Sequence, residues 1–277
     1  MTFTIDPSRS LARSILLIRV VTIAGLFCLW EALRLSGFFY EGVLPSTLAV
    51  ASAIGRELAD RSFYQDLGIT MLETLVGFCF GSLIGIAAAV GLGVNSYARK
   101  MIEPYIIAIG GTPKIIFLPI LFLIFGLGIE SKMAKAAMSA FFPVVLSCTS
   151  GFVQIPPVLL RVGRSFDLTR WQMIRKIYLP AMTNPLLTGL RLGMAMAIIG
   201  VLAAEVAYAN AGLGFRLMRD ADQFRIPSVY AIIILIFAIS SAINFAISKL
   251  QDRLNRHDKR RGVDSMEIGA AKLLGAD

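Results

Sequence analysis

RVGRSFDLTRWQMIRKIYLP, residues Arg161 to Pro180, is a basic, amphipathic stretch lying between two long apolar runs. A chain that keeps such a segment outside lipid uses it to touch something, so the runs on either side decide the fold. The 277 residues are 56% hydrophobic and 16% charged, with a mean hydropathy of +0.73, which is too apolar for a soluble domain. A helix needs roughly 20 mostly apolar residues to cross about 30 Å of hydrocarbon. Six runs qualify: Ser14 to Leu35, Leu67 to Gly93, Pro104 to Phe125, Met133 to Phe152, Leu186 to Tyr208 and Pro227 to Leu250. The predicted fold is all-α, a polytopic membrane protein with six transmembrane helices. Residues 1–13 form an N-terminal tail, 14–250 the membrane domain with loop 158–180 inside it, and 251–277 a basic C-terminal tail.

Six spans put both termini on one side, and the Lys and Arg bias says which. Arg9, Arg13, Arg99, Lys100, Arg161, Arg164, Arg170, Arg175, Lys176, Arg253, Arg256, Lys259, Arg260, Arg261 and Lys272 fall on the side of the termini. The other side holds Arg56, Arg61, Lys132, Arg216, Arg219 and Arg225. Both termini and the 158–180 loop are therefore predicted to be cytoplasmic in a multi-pass protein of the bacterial inner membrane. The first run is too long and too late for a cleaved signal peptide. The net charge of +9 is mostly this bias, so no nucleic-acid partner is expected.

Several chemistries lack their residues. Cys28, Cys79 and Cys148 fall inside apolar runs without paired spacing and read as small buried hydrophobes. The one histidine, His257, lies in the charged tail, so no metal site and no Ser-His catalysis is expected. No GxxxxGK[ST] loop is present. If ATP drives this protein, another chain binds the ATP.

Within the spans, Gly77, Gly81 and Gly85 repeat every four residues, and Gly189 and Gly193 do the same. Each set puts small residues on one helix face for close packing, within one subunit or at a dimer seam. Pro113 and Pro119 are expected to bend or break the third span, and its freed carbonyls must find donors. Charges in spans are costly. Lys114 and Glu205 are candidate pathway residues, with a snorkelling interfacial side chain or a satisfied buried pair as the alternative; for Glu73 and Arg191, closer to span ends, that alternative is the favoured reading.

In the loop, Pro156 and Pro157 close the preceding run, and Val158 to Phe166 is predicted as a short helix with Arg161 and Arg164 on its polar side. A turn follows through Asp167, and Thr169 caps a second helix that runs to about Ile177. Trp171, Ile174 and Tyr178 fall near one face of it, and Pro180 is expected to limit its continuity with the next span. The product is a helix-turn-helix with an exposed aromatic and a basic rim, suited to anionic lipid or to a protein partner.

The Ile177, Leu179, Pro180 ending, followed by Gly189-Leu190-Arg191, resembles the EAA loop of binding-protein-dependent ABC importer permeases. Thr112-Pro113-Lys114-Ile115-Ile116-Phe117-Leu118-Pro119 followed by Phe125-Gly126-Leu127-Gly128 is similar to the nitrate/sulfonate/taurine permease group. So are Ala204-Glu205 with Asn210-Ala211-Gly212-Leu213-Gly214, and Leu44-Pro45-Ser46. The resemblance covers roughly Val43 to Leu250. It implies a type I ABC importer permease fold, paired with a second permease subunit, expected to be another copy of this chain, with a different permease as the alternative. It further implies two ATP-binding subunits holding the ATP and Mg, a soluble substrate-binding protein, and no cofactor or catalytic residue in this chain. Loop 158–180 would then couple to the ATPase through Arg161, Arg164, Asp167, Thr169, Arg170, Trp171, Arg175, Leu179 and Pro180. The implied pathway residues are Pro113, Lys114, Pro119 and Glu205.

Two positions depart from the family pattern. Its Glu-Ala-Ala aligns with Arg161, Val162 and Gly163, and the glycine of its turn with Asp167. Asp tolerates turn conformations less freely than Gly, and the acidic contact is gone, which implies an altered ATPase surface or a more typical partner permease. The group carries nitrate, taurine, alkanesulfonates and some vitamin precursors or aromatic acids, so a small anion is the expected solute. The rival reading is a channel or an ion-gradient-driven secondary transporter, which would want inverted halves or midplane carboxylate pairs. A membrane enzyme would want clustered His, Asp or Ser in the spans.

Overall fold

The computed structural model describes residues 7–38 and 42–273, with side chains described for most of residues 15–253; the basic tail residues Arg9, Arg13, Arg256, Lys259, Arg260, Arg261 and Lys272 have side chains outside that set. All regular elements among the described residues are helical. They are α1 (Pro7–Leu35), α2 (Thr47–Ala59), α3 (Arg61–Val94), α4 (Ser96–Gly111), α5 (Leu118–Phe125), α6 (Ile129–Val153), α7 (Pro157–Ser165), α8 (Arg170–Met173), α9 (Leu179–Ala181), α10 (Thr183–Ala207), α11 (Leu213–Asp222) and α12 (Ile226–Leu273). Helices α3, α6, α10 and α12 are long and apolar enough to cross a membrane, and α4 with the segment Lys114–Phe125 makes a fifth span if that bent pair is one crossing. The first predicted run lies within α1. Helix α12 carries its backbone helix through most of the stretch expected to be a tail.

The chain divides into two compact units, Met1–Phe63 with Leu217–Leu235, and Tyr64–Arg216 with Ile236–Asp277. In the first, Ser46 caps α2 by accepting from Ala49 N–H at 3.2 Å, as an N-cap serine should. The Trp30 indole donates to Pro45 O at 3.1 Å and meets the Tyr230 ring edge-on, with centroids 5.2 Å apart.

The second unit is organised around α6. A β-carbon on Gly81 would come within 2.8 Å of the Ala137 backbone, one on Gly77 would strike Ala136 and Met133, and one on Gly85 would press on Val144. On another side, Gly189 meets Ser147 and Val144, Gly193 meets Val144 and Ala140, and Gly200 meets Ser139. Both glycine repeats thus face α6 of the same chain. The backbones close up because no side chain stands between them, the packing that membrane helices use when hydrophobicity cannot drive association. A core of Ala89, Val144, Val145, Cys148, Phe152, Ile155 and Met182 fills the end nearest the loop. The large apolar side chains Leu75, Phe80, Leu83 and Ile84 on α3 point outward, where hydrocarbon suits them. Cys28 and Cys79 are exposed in the same way and only Cys148 is buried, which corrects the expectation that all three are interior.

The predicted third span is broken, as its prolines predict, into two helices at 90°, and it starts at Ser96 rather than Pro104. Pro104 sits inside α4, Pro113 stands at the break, and Pro119 lies in the first turn of α5, where its missing N–H costs nothing. Lys132, placed by the sequence in a loop, is a buried residue of α6.

Gly81→Leu is expected to force α3 from α6 and to cost about 1–3 kcal/mol or more as overpacking. Gly91→Ala, with nothing within 4 Å of the new atom, should stay within about 0.5 kcal/mol. Thermal unfolding of the detergent-solubilised protein checks both, and equal melting temperatures for the two variants would contradict this packing.

Candidate functional site

The loop folds as read, with sharper detail. Helix α7 ends in a Schellman motif: Asp167 N–H donates to Arg164 O at 3.0 Å and Leu168 N–H to Gly163 O at 3.1 Å, satisfying carbonyls that a helix end leaves free. Asp167 holds the left-handed conformation this requires, at φ 46°, so it serves where the pattern has glycine. Thr169 then caps α8 in a reciprocal box with Gln172, whose amide oxygen accepts from Thr169 N–H at 2.9 Å. Gly163 is buried against the side-chain ends of Met173 and Ile177, so a larger residue there would have to push both aside where α7 meets the second helix.

Two local expectations need correction. Trp171 does not share a face with Ile174 and Tyr178. Its ring is 69% exposed, while Tyr178 packs on Phe152 at 5.2 Å and Ile174 is half-buried. The second helix does not stop near Ile177 but passes through a widened π-type turn, Ile174–Tyr178, into α9. Pro180 itself sits inside α9, and the break before α10 falls two residues later at Met182, whose N–H still reaches Tyr178 O at 3.0 Å. Arg161, Arg164, Arg170 and Arg175 are exposed around Trp171 and Phe166, as are Leu179 and Pro180.

The membrane charges fall into three settings. Lys114 is half-buried, donates to Gly110 O at 2.6 Å and lies 5.1 Å from the centroid of the Phe142 ring. Beside it the Thr112 hydroxyl donates to Ala108 O at 3.1 Å, so the last carbonyls of α4 find donors at the break. Beyond α5, Lys132 donates to Leu127 O and Gly128 O, each at 3.3 Å, and stands 3.9 Å from Glu73. Glu73 is wholly buried, so of the two forms expected for it, interfacial or buried beside a partner, the structure has the second. Arg191 is exposed and donates to Ser248 at 3.4 Å.

Glu205 is 1% exposed and holds the start of α11. Its carboxylate accepts from the Thr70 hydroxyl at 2.6 Å and from Gly214 N–H at 2.7 Å. The same Thr70 oxygen accepts from Leu213 N–H at 2.9 Å. Asp66 accepts from Gly212 N–H at 3.0 Å and pairs with Arg216 at 3.2 Å. Three successive N–H groups at a helix start are thus met by side chains of α3 and α10, and the negative charge opposes the positive end of the helix. Gly212, at φ +105°, lies directly against the Glu205 carboxylate. Sequence reasoning selected Glu205 and missed Thr70 and Asp66. Their spacing, one helical turn apart and one turn before Glu73, was a signal that could have found them. Among the described residues no group of His, Cys, Asp and Glu could hold a metal.

Comparison with known proteins is specific. Residues 81–258 match the family described as binding-protein-dependent transport system inner membrane component. The chain is 27% identical over 214 residues to the taurine transport system permease protein TauC of Escherichia coli strain K12, covering 77% of each chain. It is 26% identical over 230 residues to the putative aliphatic sulfonates transport permease protein SsuC of Bacillus subtilis strain 168, covering 83% of each. A chain of the methionine ABC transporter MetNI, solved in inward-facing conformations, superposes with a TM-score of 0.63 at 18% identity, over 69% of this chain and 95% of that one.

Thr70→Val keeps the side-chain shape, leaves Leu213 N–H without its acceptor and removes a donor from Glu205, so it should cost about 1–3 kcal/mol. Faster amide exchange at residues 212–216 together with a lower melting temperature is the expected result. Unaltered exchange there would mean that Thr70 does not anchor α11.

Proposed function

This chain belongs to the binding-protein-dependent transport system inner membrane components, and from that premise we propose that it forms the membrane path for a small organic or inorganic anion, driven by a separate ATPase docked on loop 158–180. It is a permease subunit of an ABC importer with the type I fold. The solute proposed is a sulfonate such as taurine, or a related anion. It would be delivered by a soluble binding protein to a pair of permease subunits, with two ATP-binding subunits holding ATP and Mg on the cytoplasmic side.

One observation carries the docking assignment. The loop presents Phe166 and Trp171, 76% and 69% exposed, beside exposed arginines on an element fixed by a Schellman motif, a capping box and the Gly163 contact. Large aromatics ringed by Arg are the residues that anchor protein interfaces, and a rigid mount lets a push on them move the helices behind. A lipid-resting surface would not need such a mount. The basic side of the chain, including this loop and both termini, is proposed as cytoplasmic on the charge bias.

In liposomes holding the complete transporter, Trp171→Ala is expected to weaken ATPase docking by about 2 kcal/mol or more and to uncouple hydrolysis from uptake. Unchanged coupling would remove Trp171 from the contact. For the solute, a thermal-shift screen of the cognate binding protein against taurine, alkanesulfonates and nitrate should raise its melting temperature by several degrees for one anion class, since a native-state ligand stabilises as its concentration exceeds Kd. A rise only with compounds that carry no anionic group would refute the anion assignment.

A further inference from the structure

The cations along the third and fourth spans are not equivalent. Lys132 has Glu73 at 3.9 Å and two carbonyls to donate to. Lys135, one turn further along α6, is 3% exposed, and its one hydrogen-bond partner is the Ser139 hydroxyl at 3.4 Å. No carboxylate pairs with Lys135 among the described residues. A lone ammonium buried in a membrane domain is costly, and such residues are normally paired or mark the route of an ion or substrate.

Its placement says what would neutralise it. Lys135, Ser139 and Phe142 recur at intervals of four and three residues, on one face of α6. That face meets the break in the third span, because Phe142 carries the Lys114 ammonium over its ring and lies against Gly110. It also meets α10 at Gly200, where the absent side chain leaves Ser139 and the Lys135 carbonyl close to the neighbouring backbone. Lys114, Phe142 and the irregular backbone at Pro113 therefore meet where two half-span helices join, with Ser139 one turn and Lys135 two turns along the same α6 face, and irregular backbone at membrane depth is tolerated where it is buried in protein or lines a cavity.

We propose that Lys135 and Lys114, with the Ser139 hydroxyl, form a transient anion subsite at the break of the third span that accepts the sulfonate or equivalent anionic head of the cargo. The half-exposed Lys114 meets the anion first, and the buried Lys135 holds it when the helices part. This rests on the anion reading given above and adds the residues that enforce it inside the membrane, beyond whatever selection the binding protein makes.

The test uses the complete transporter in proteoliposomes with its ATPase and binding protein, reading the uptake of labelled taurine and ethanesulfonate per ATP hydrolysed. Lys135→Met should lower that ratio about tenfold or more, as losing one partner of a desolvated charge pair does, and Lys135→Arg should restore it. A merely structural defect would lower uptake and hydrolysis together and leave the ratio alone. An unchanged ratio in Lys135→Met overturns the subsite while leaving the anion reading intact. If Lys135→Met does not assemble, Lys114→Gln reads the same ratio, and a drop of severalfold supports the subsite where no drop overturns it. If the wild-type transporter moves neither sulfonate nor nitrate but does move a solute with no anionic group, the anion reading falls and the subsite with it.

Discussion

Hydrocarbon supplies no hydrogen bonds, and that constraint explains the placement of nearly every polar side chain in the membrane part of this protein. The break at Pro113 frees carbonyls at the end of α4, and Thr112 and Lys114 return donors to them. The end of α5 frees more, and Lys132 reaches back to Leu127 and Gly128. The start of α11 leaves bare N–H groups, and Asp66, Thr70 and Glu205 accept from them. Charges that look like isolated oddities in an apolar sequence are mostly caps for helix ends. The same accounting isolates Lys135, whose charge no carboxylate balances among the described residues.

Capping also governs loop 158–180, for a different reason. In water an uncapped helix end is cheap, yet this loop has a Schellman motif followed directly by a capping box. Two helices of nine and four residues are too short to be stable alone, so their geometry comes from caps and from the contact of Gly163 with Met173 and Ile177. The result is a small element with a defined shape that offers Phe166 and Trp171 outward. Arg161 replaces the acidic residue of the family pattern without disturbing this geometry, because its side chain is exposed and the buried position of the trio is Gly163.

Much of this was legible in the sequence because its signals are local. Apolar run length marked α3, α6, α10 and α12, Thr169 marked its helix start, and the glycine repeats marked close packing. The misses came from information that is not local. Nothing in the spacing of Glu73 said that α6 would bring Lys132 beside it. The π-type turn at Ile174–Tyr178 rotated Tyr178 inward and left Trp171 outside, an offset that a strict 3.6-residue period cannot express. Helices α2 and α11 escaped the reading because one is short and the other polar, and neither could span a membrane. Glu205 was recognised as costly, but its partners lie 135 residues earlier for Thr70 and nine later for Gly214, and only the fold joins them.

The connectivity of α6 and α10 gives the loop its mechanical meaning. The loop is the direct link between these two helices, and they are locked together by Gly189, Gly193 and Gly200 against Val144, Ala140 and Ser139. Close-packed backbones of this kind have no soft side-chain layer to absorb a displacement, so a push on the loop moves α6 and α10 as one body. At the far end of that body from the loop stand Lys132 and Glu205, which hold the α5 end and the start of α11. A rigid motion of the two helices would act on both of these caps at once. The break at Pro113 is where that motion meets a joint, since two helices at 90° can change their angle without stretching a continuous hydrogen-bond ladder.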